Sequence, residues 1–388
     1  MSKDHPIYLD YAATTPVDPR VAAAMAECLT RDGTFGNPAS QHRYGREARA
    51  RVEQARSEVA ALIGAPVGHV VWTSGATESN NLAILGTARA AAATGRPRHI
   101  VTSRTEHKAV LDPCRRLEQE GCRVTYLTPG MDGIVPPDAV GAALEADTIL
   151  VSIMHVNNEI GVRQDIGAIG ALCRERGVPL HVDAAQSVGK IALDLSHLPV
   201  DLLSLTAHKL YGPKGIGALY VHPQRRGLLQ PLLLGGGHER GLRSGTLPVH
   251  QIVGFGAACA LLGQGLAQES ARLESLRERL WRGLQAIPGA LLNGHPTQRV
   301  AGILNVSFRG MEGESLLLGL PGLALSTGSA CSSDSDEASY VLRALGRDSE
   351  LAQASLRLSL GRFTTSDDID DAVAAVQQEV ARLRSVAP

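Results

Sequence analysis

Residues 201–221 read DLLSLTAHKLYGPKGIGALYV. An apolar run ends at Thr206, a polar step through His208 and Lys209 follows, and a glycine-rich turn leads into a second apolar run. Two strands joined in this way place a lysine just beyond a carboxyl end, where open α/β sheets bind their ligands.

Working outward, the pattern repeats. From about residue 66 to 222, short runs rich in β-branched residues alternate with segments of helical period. The strand candidates are HVVWTS (69–74), HIVTS (99–103), RVTYLT (123–128), TILVSIMHV (148–156), PLHVDAA (179–185), DLLSLTAH (201–208) and GALYVH (217–222). Between them lie helical stretches such as AVLDPCRRLEQEG and IGAIGALCRERG, the latter stopped by Gly177. This alternation predicts an α/β fold with a mainly parallel sheet flanked by helices. The polar, glycine-rich loop GGGHERGLRSGTLP follows at 235–248, and residues 249–287 carry no proline and read as a long helix whose glycines are its candidate break points. The remainder, with strand-like GILNVSF and SLRLSLGRFT and helical DIDDAVAAVQQEVARLRS, reads as a smaller α+β domain.

Length and composition set the frame for function. A chain of 388 residues exceeds what one core usually supports, so a large domain with a smaller lobe is expected. Lysine plus arginine total 38 and aspartate plus glutamate 39, a balance that offers no general attraction for nucleic acid or an anionic membrane. MSKDHPIYLD lacks the apolar core of a secretory signal, and no run approaches the ~18 apolar residues of a membrane helix, so the expectation is a cytoplasmic protein. Six cysteines at 28, 114, 122, 173, 259 and 331 show no CxxC spacing, which argues against a zinc site or a disulfide framework. Five lie in mixed or apolar surroundings; Cys331, in STGSACSS, has only small neighbours.

Four strand ends are unusually polar. After HVVWTS come Gly75, Ala76 and Thr77 and a helix expected to begin at Glu78, which makes either an ordinary N-cap or a phosphate cradle of backbone N–H groups. Asp183 ends the run HVD, with Gln186 three residues on; a helix cap and a ligand contact are both open, and no His/Asp cluster at ligand spacing accompanies it. Lys209 either snorkels to solvent or is desolvated for covalent work. The fourth end carries Asn157, Asn158 and Glu159, and His107 follows another strand as a capping residue or a ring-stacking one. Together, a phosphate cradle, a strand-end aspartate and a strand-end lysine are the anchor, ring-nitrogen partner and imine-forming amine that pyridoxal phosphate requires.

The stretches YLDYAATTP, FGNPASQH, TSGATESNN, HVNNEIG, HVDAAQS, AHKLYGPKGIGALY, ERGLRSGT, STGSACSS and SLRLSLGRFT, in this order from about residue 7 to 370, resemble the motifs of cysteine desulfurases of the IscS/NifS type, class V enzymes of the fold-type I pyridoxal-phosphate-dependent transferases. The resemblance implies a large cofactor-binding domain over 16–260 and a small domain from 1–15 and 261–388 that carries a mobile loop, about 326–340, with the acceptor thiol of Cys331. It implies Lys209 as the Schiff-base lysine and Cα base, Asp183 on the ring nitrogen, Gln186 on the ring hydroxyl and His107 stacked on the ring. Phosphate is expected on Gly75, Ala76, Thr77, Thr206 and His208, with Thr246 supplied across a homodimer interface. Arg357 is expected to clamp the substrate carboxylate, helped by Asn158, although a strand arginine facing solvent is the reading of its local sequence alone. FGNPASQH is either a substrate contact or a well-capped turn.

The implied reaction converts L-cysteine to L-alanine and leaves sulfur on Cys331 as a persulfide for an acceptor protein, such as an iron–sulfur scaffold or a tRNA-thiolation partner. A selenocysteine lyase or a class V aminotransferase is the alternative on the same fold. Thr206 stands where serine is frequent in the family and Ala185 where threonine is. The long segment after Ser326 matches the subgroup that donates sulfur to proteins, while the ending RLRSVAP is shorter than the tail with which housekeeping members dock a scaffold.

Overall fold

The computed structural model describes residues 5–96, 98–327 and 338–386. The chain opens with β1 (Ile7–Tyr8), α1 (Pro19–Ala26) and α2 (Arg43–Leu62). The alternating region then supplies β2 (Val70–Thr73), α3 (Ala76–Ala93), β3 (His99–Ser103), α4 (Lys108–Gln119), β4 (Arg123–Leu127), α5 (Pro137–Ala143), β5 (Thr148–Ser152), α6 (Ile166–Glu175), β6 (Leu180–Asp183), β7 (Leu202–Thr206) and β8 (Gly217–Val221).

Strands β2 to β8 build one seven-stranded sheet in the order β2-β8-β7-β6-β5-β3-β4. Neighbours from β7 to β4 pair in parallel, and β8 alone in this sheet is reversed, antiparallel to both β2 and β7. The other strands therefore end at one edge, and β8 begins there. Its first residue, Gly217, lies opposite both Thr73 and Thr206. Every strand of this sheet except the edge strand β4 is buried along its whole length, because both faces are covered. Ile100, Leu150 and Leu202 pack with Leu82, Ile84 and Val110 on one face. Their neighbours Val101, Val151 and Leu203 pack with Ile169, Ile252 and Phe255 on the other. Each fully buried side chain of this kind contributes about 1.5–3 kcal/mol.

The predicted long helix is two helices. α7 (Val249–Gly263) and α8 (Leu266–Leu284) meet at a 77° bend, with Gly265 as the residue that opens α8. The turn has a packing cause: α7 lies on α1 and α2, whereas α8 lies on α12 (Ser366–Val386). Among the described residues no single helix is long and apolar enough to cross a membrane. Beyond α8 come β9 (Ala290–Leu292), β10 (Ile303–Phe308), α9 (Gly313–Leu318), β11 (Leu323–Ala324), α10 (Tyr340–Ala344), α11 (Ser349–Gln353) and β12 (Ser355–Ser359). The sheet β12-β10-β9 is antiparallel and packs Leu304, Phe308, Leu356 and Leu358 against Leu280, Leu284, Ile369 and Val376. The amino-terminal segment is sewn to these later elements, with β1 pairing β11 and Asp10 bridging Ser359.

Candidate active site

The carboxyl edge of the large sheet opens into a cleft of about 520 Å³. Its floor includes the start of α3, and helix formation begins at Ala76, two residues earlier than the sequence suggests. Gly75, at φ 156°, is the N-cap and contributes no side-chain hydrogen bond. Ser74 N donates instead to Glu78 Oε2, 2.7 Å away, and Glu78 is itself paired with Arg243. The N–H groups of the first helical turn have no intrahelical acceptor. A Cβ on Gly217 would stand 2.6 Å from the Gly75 Cα and 2.6 Å from the Leu205 carbonyl oxygen, so only glycine at the head of β8 lets this turn close over the sheet. Thr77, Thr206 and His208 line the cleft beside it.

Asp183, the last residue of β6, accepts from Asn80 Nδ2 at 2.7 Å and from the Ala185 N–H at 2.9 Å. Gln186 donates from Nε2 to the Ala12 carbonyl at 2.7 Å, and its Oε1 accepts from Lys190 Nζ at 2.5 Å. Burial, with Lys209 and Arg357 nearby, pushes the Lys190 amine down to about 7. Asn80, Lys190 and Asp10 are residues the sequence reading missed; Asn80 and Asp10 sit inside the quoted motifs, but their bonds are to side chains far along the chain.

Lys209 closes a 3₁₀ turn directly after β7 and lines both the cleft and a small cavity behind it. His208 bonds Thr14 Oγ1 through Nδ1 at 3.2 Å, and burial beside Lys209, Lys214 and Lys190 pushes it down to about 4, which leaves it neutral at pH 7. His107 caps α4, its Nδ1 accepting from the Ala109 N–H at 3.1 Å. That bond assigns the remaining proton of the neutral ring to Nε2. Burial lowers the His107 pKa. Capping and lining the cleft are therefore both true of this residue. Behind it, Glu106 Oε1 accepts from the Met154 N–H at 2.7 Å while Oε2 has no partner among the described residues, and burial raises this carboxyl well above its usual range. The same bond helps explain why β5 stops at Ser152: the chain beyond turns its N–H groups to Glu106 and to the Asp183 carbonyl.

Arg357 is buried on β12 rather than facing solvent. Nη1 donates to the Asn158 carbonyl at 3.0 Å and Nη2 to Asp10 Oδ1 at 2.7 Å, which leaves Nε and one proton on each Nη as remaining donors. Asn158 lines the same cleft, and its buried Oδ1 has no partner among the described residues. The adjacent Glu159 accepts from Ser339 Oγ at 2.5 Å, and burial raises it to about 7.

One predicted residue among the described residues is not in this cleft, and one is not described. Thr246 is exposed and does not line it, and Cys331 lies outside the described residues. Cys28, Cys114, Cys122, Cys173 and Cys259 are buried free thiols. His99, Glu145 and Asp147 come within metal-ligand reach of one another, but Arg123 bridges both acids and each His99 nitrogen bonds a threonine.

The cleft has the donor set for a phosphorylated pyridine aldehyde: helix N–H groups without a cap, a carboxylate at a strand end, an amine beyond the next strand and an amide oxygen unpartnered among the described residues.

The family model for aminotransferase class-V matches residues 7–372. The chain is 59% identical over 384 residues to the cysteine desulfurase IscS of Aeromonas hydrophila subsp. hydrophila and 58% to that of Pectobacterium atrosepticum, covering 99% of this chain and 95% of each relative. Among solved structures it is similar to a NifS-like protein, with TM-score 0.89 and 35% identity over 97% of this chain and 100% of the other. It is also similar to SspA in complex with cysteine, with TM-score 0.82 and 37% identity over 92% and 99%.

Proposed function

The chain belongs to the class-V aminotransferase family as a cysteine desulfurase, and from that premise we propose how its residues divide the work. The observation that carries the reading is the convergence of Lys209, Asp183, His107 and the uncapped start of α3 on one cleft. Pyridoxal phosphate, when bound, supplies a conjugated ring that accepts the electron pair released at the substrate Cα. The N–H groups of Ala76 and Thr77, with Thr77, Thr206 and His208, hold its phosphate, Gly75 permits the close approach, and the partner subunit's Thr246 completes the set in a homodimer. Asp183 keeps a proton on the ring nitrogen and Gln186 bonds the ring oxygen. Lys209 is the amine that would hold the cofactor and would take the Cα proton of the substrate. His107 stacks and moves a proton through Nε2.

L-Cysteine enters with its carboxylate on Arg357 and Asn158. The thiolate of Cys331, a role that rests on the sequence resemblance, attacks the substrate sulfur. A sulfur–sulfur bond forms as the carbon–sulfur bond breaks, and protons returned to the substrate carbons complete L-alanine. The products are L-alanine and a persulfide on Cys331, which an acceptor protein then takes, an iron–sulfur scaffold or a tRNA-thiolation partner. We assign residues 16–260 to the cofactor-binding part and 1–15 with 261–388 to the part that carries Cys331, and we place the enzyme in the cytoplasm, in keeping with its five buried free thiols.

The test is a visible spectrum of the purified protein with pyridoxal phosphate, together with an alanine assay on L-cysteine. The expected result is a band that shifts on adding cysteine, and a Cys331→Ser variant that keeps the band and makes no alanine. A colourless protein, or undiminished turnover in that variant, overturns the reading.

A further inference from the structure

Lys190 plays no part in the reaction described so far, yet its position is unusual for a lysine. It is largely enclosed, and among the described residues it forms no ion pair; its hydrogen bond goes to a neutral amide, Gln186 Oε1, at 2.5 Å. A cation withdrawn from water is normally paired with a carboxylate. The turns that follow β6 bring the two side chains together: Val188 N bonds the Ala184 carbonyl and Lys190 N the Ser187 carbonyl, so residue 190 returns beneath residue 186.

The two bonds of Gln186 determine how its amide is oriented. An ammonium only donates, so the atom facing Lys190 is oxygen; a carbonyl only accepts, so the atom facing Ala12 is nitrogen. With one proton of Nε2 on Ala12, one N–H remains, and Gln186 lines the cleft beside Asp183 and Lys209. Without the ammonium only the Ala12 carbonyl would favour this orientation, and the flipped amide, no longer opposed at its other end, puts an oxygen lone pair where the donor should be.

Resting on the cofactor site proposed above, we infer that Lys190 is a positioning residue: its ammonium locks the Gln186 amide so that an N–H of Nε2 is presented to the ring oxygen of bound pyridoxal phosphate. A donor at that oxygen stabilises its anionic form and lowers the affinity of the oxygen and the linked nitrogen for their shared proton. The titratable and charged groups around Lys190 are Lys209, His208 and Arg357 toward the cleft, with Arg163, Glu269, Glu274 and Arg299 lining the cavities behind.

The experiment is a pH titration of the visible band of the holoenzyme without substrate, for the unaltered protein, Lys190→Met, Gln186→Met and the double variant. Lys190→Met is expected to raise the midpoint by about one pH unit, a tenfold change in proton affinity, and to add nothing further once Gln186 is Met. Shifts that add in the double variant, or no shift in Lys190→Met, overturn the proposal, because Lys190 then acts by its own charge or not at all. A crystal structure of the unaltered holoenzyme checks the same point without a variant: Lys190 Nζ more than ~4 Å from Oε1, or Nε2 turned away from the ring oxygen, also overturns it. An unaltered protein that never shows the band overturns the site reading as well, whereas a normal band with additive shifts overturns this proposal alone.

Discussion

Asn80 Nδ2 donates a 2.7 Å hydrogen bond to Asp183 Oδ2, so the helix whose amino terminus opens the cleft also orients the carboxylate at the end of β6. Removing the donor is expected to leave Asp183 held by the Ala185 N–H alone. Asn80→Ala should weaken retention of pyridoxal phosphate about ten- to hundredfold, the range for one bond to a charged acceptor, as read from absorbance on dilution. Retention equal to the unaltered protein would show that the Ala185 N–H suffices.

Gly217 allows the first turn of α3 to sit on the sheet. In Gly217→Ala the new methyl meets backbone on two sides, at 2.6 Å each, and no rotamer relieves it. The variant should lose more affinity for inorganic phosphate and for pyridoxal phosphate than it loses thermal stability. Isothermal titration beside a melting curve decides this, and unchanged binding sinks the cradle.

Arg357 spends two donors on Asp10 and the Asn158 carbonyl and retains the rest for a carboxylate. Lysine cannot satisfy three acceptors from one point charge in this geometry. Arg357→Lys should therefore raise KM for L-cysteine about a hundredfold with a smaller change in kcat. A variant in which kcat falls and KM does not move contradicts the carboxylate assignment.

Glu159 is raised by burial from its usual 4.5 to about 7, so the folded protein binds its proton more tightly than the unfolded chain does. Its stability contribution is complete below about pH 4.5 and is lost as pH rises to about 7, after which it is constant. Glu159→Gln lacks this loss. Relative to the unaltered protein, its unfolding free energy should rise by roughly 3 kcal/mol between pH 4.5 and 8, measured by denaturant titration. A pH-independent difference removes the buried acid from the account.

Arg56 and Glu239 form a buried pair with two hydrogen bonds, 2.8 and 3.0 Å, and Glu239 Oε2 also accepts from the Trp72 N–H. The pair fastens the loop at 235–248 to β2. Glu239→Ala leaves a buried guanidinium with only Glu53 as a partly exposed counter-charge, and should cost about 3–5 kcal/mol in urea unfolding. The double change Arg56→Met with Glu239→Leu should recover part of that loss; if it is no more stable than Glu239→Ala, charge burial is not the cause.

Much of this was legible in the sequence because the signals are local. An apolar run that stops at Asp183, or at Thr206 just before Lys209, marks a strand end from its own residues, and glycines mark the turns. The failures share a different cause. The helix expected from Glu78 starts at Ala76 because Gly217 lets its first turn sit on the sheet, and the glycine break expected within 249–287 falls at Gly265 with a 77° bend because α7 packs on α1 and α2 and α8 on α12. Asn80 lies 103 residues from Asp183, and Asp10 lies 347 residues from Arg357. No periodicity encodes such a pair.

The chain by itself determined which chemical groups stand at the strand ends, since hydrophobic alternation and turn residues act over a few positions. Only the tertiary structure decided that they face one cleft. That depends on strand order and on the reversal of β8, which bring Thr73, Gly217 and Thr206 to one edge, and on the amino-terminal segment crossing to β12 so that Asp10 meets Arg357. These are contacts between distant segments, chosen by how all the apolar faces bury at once.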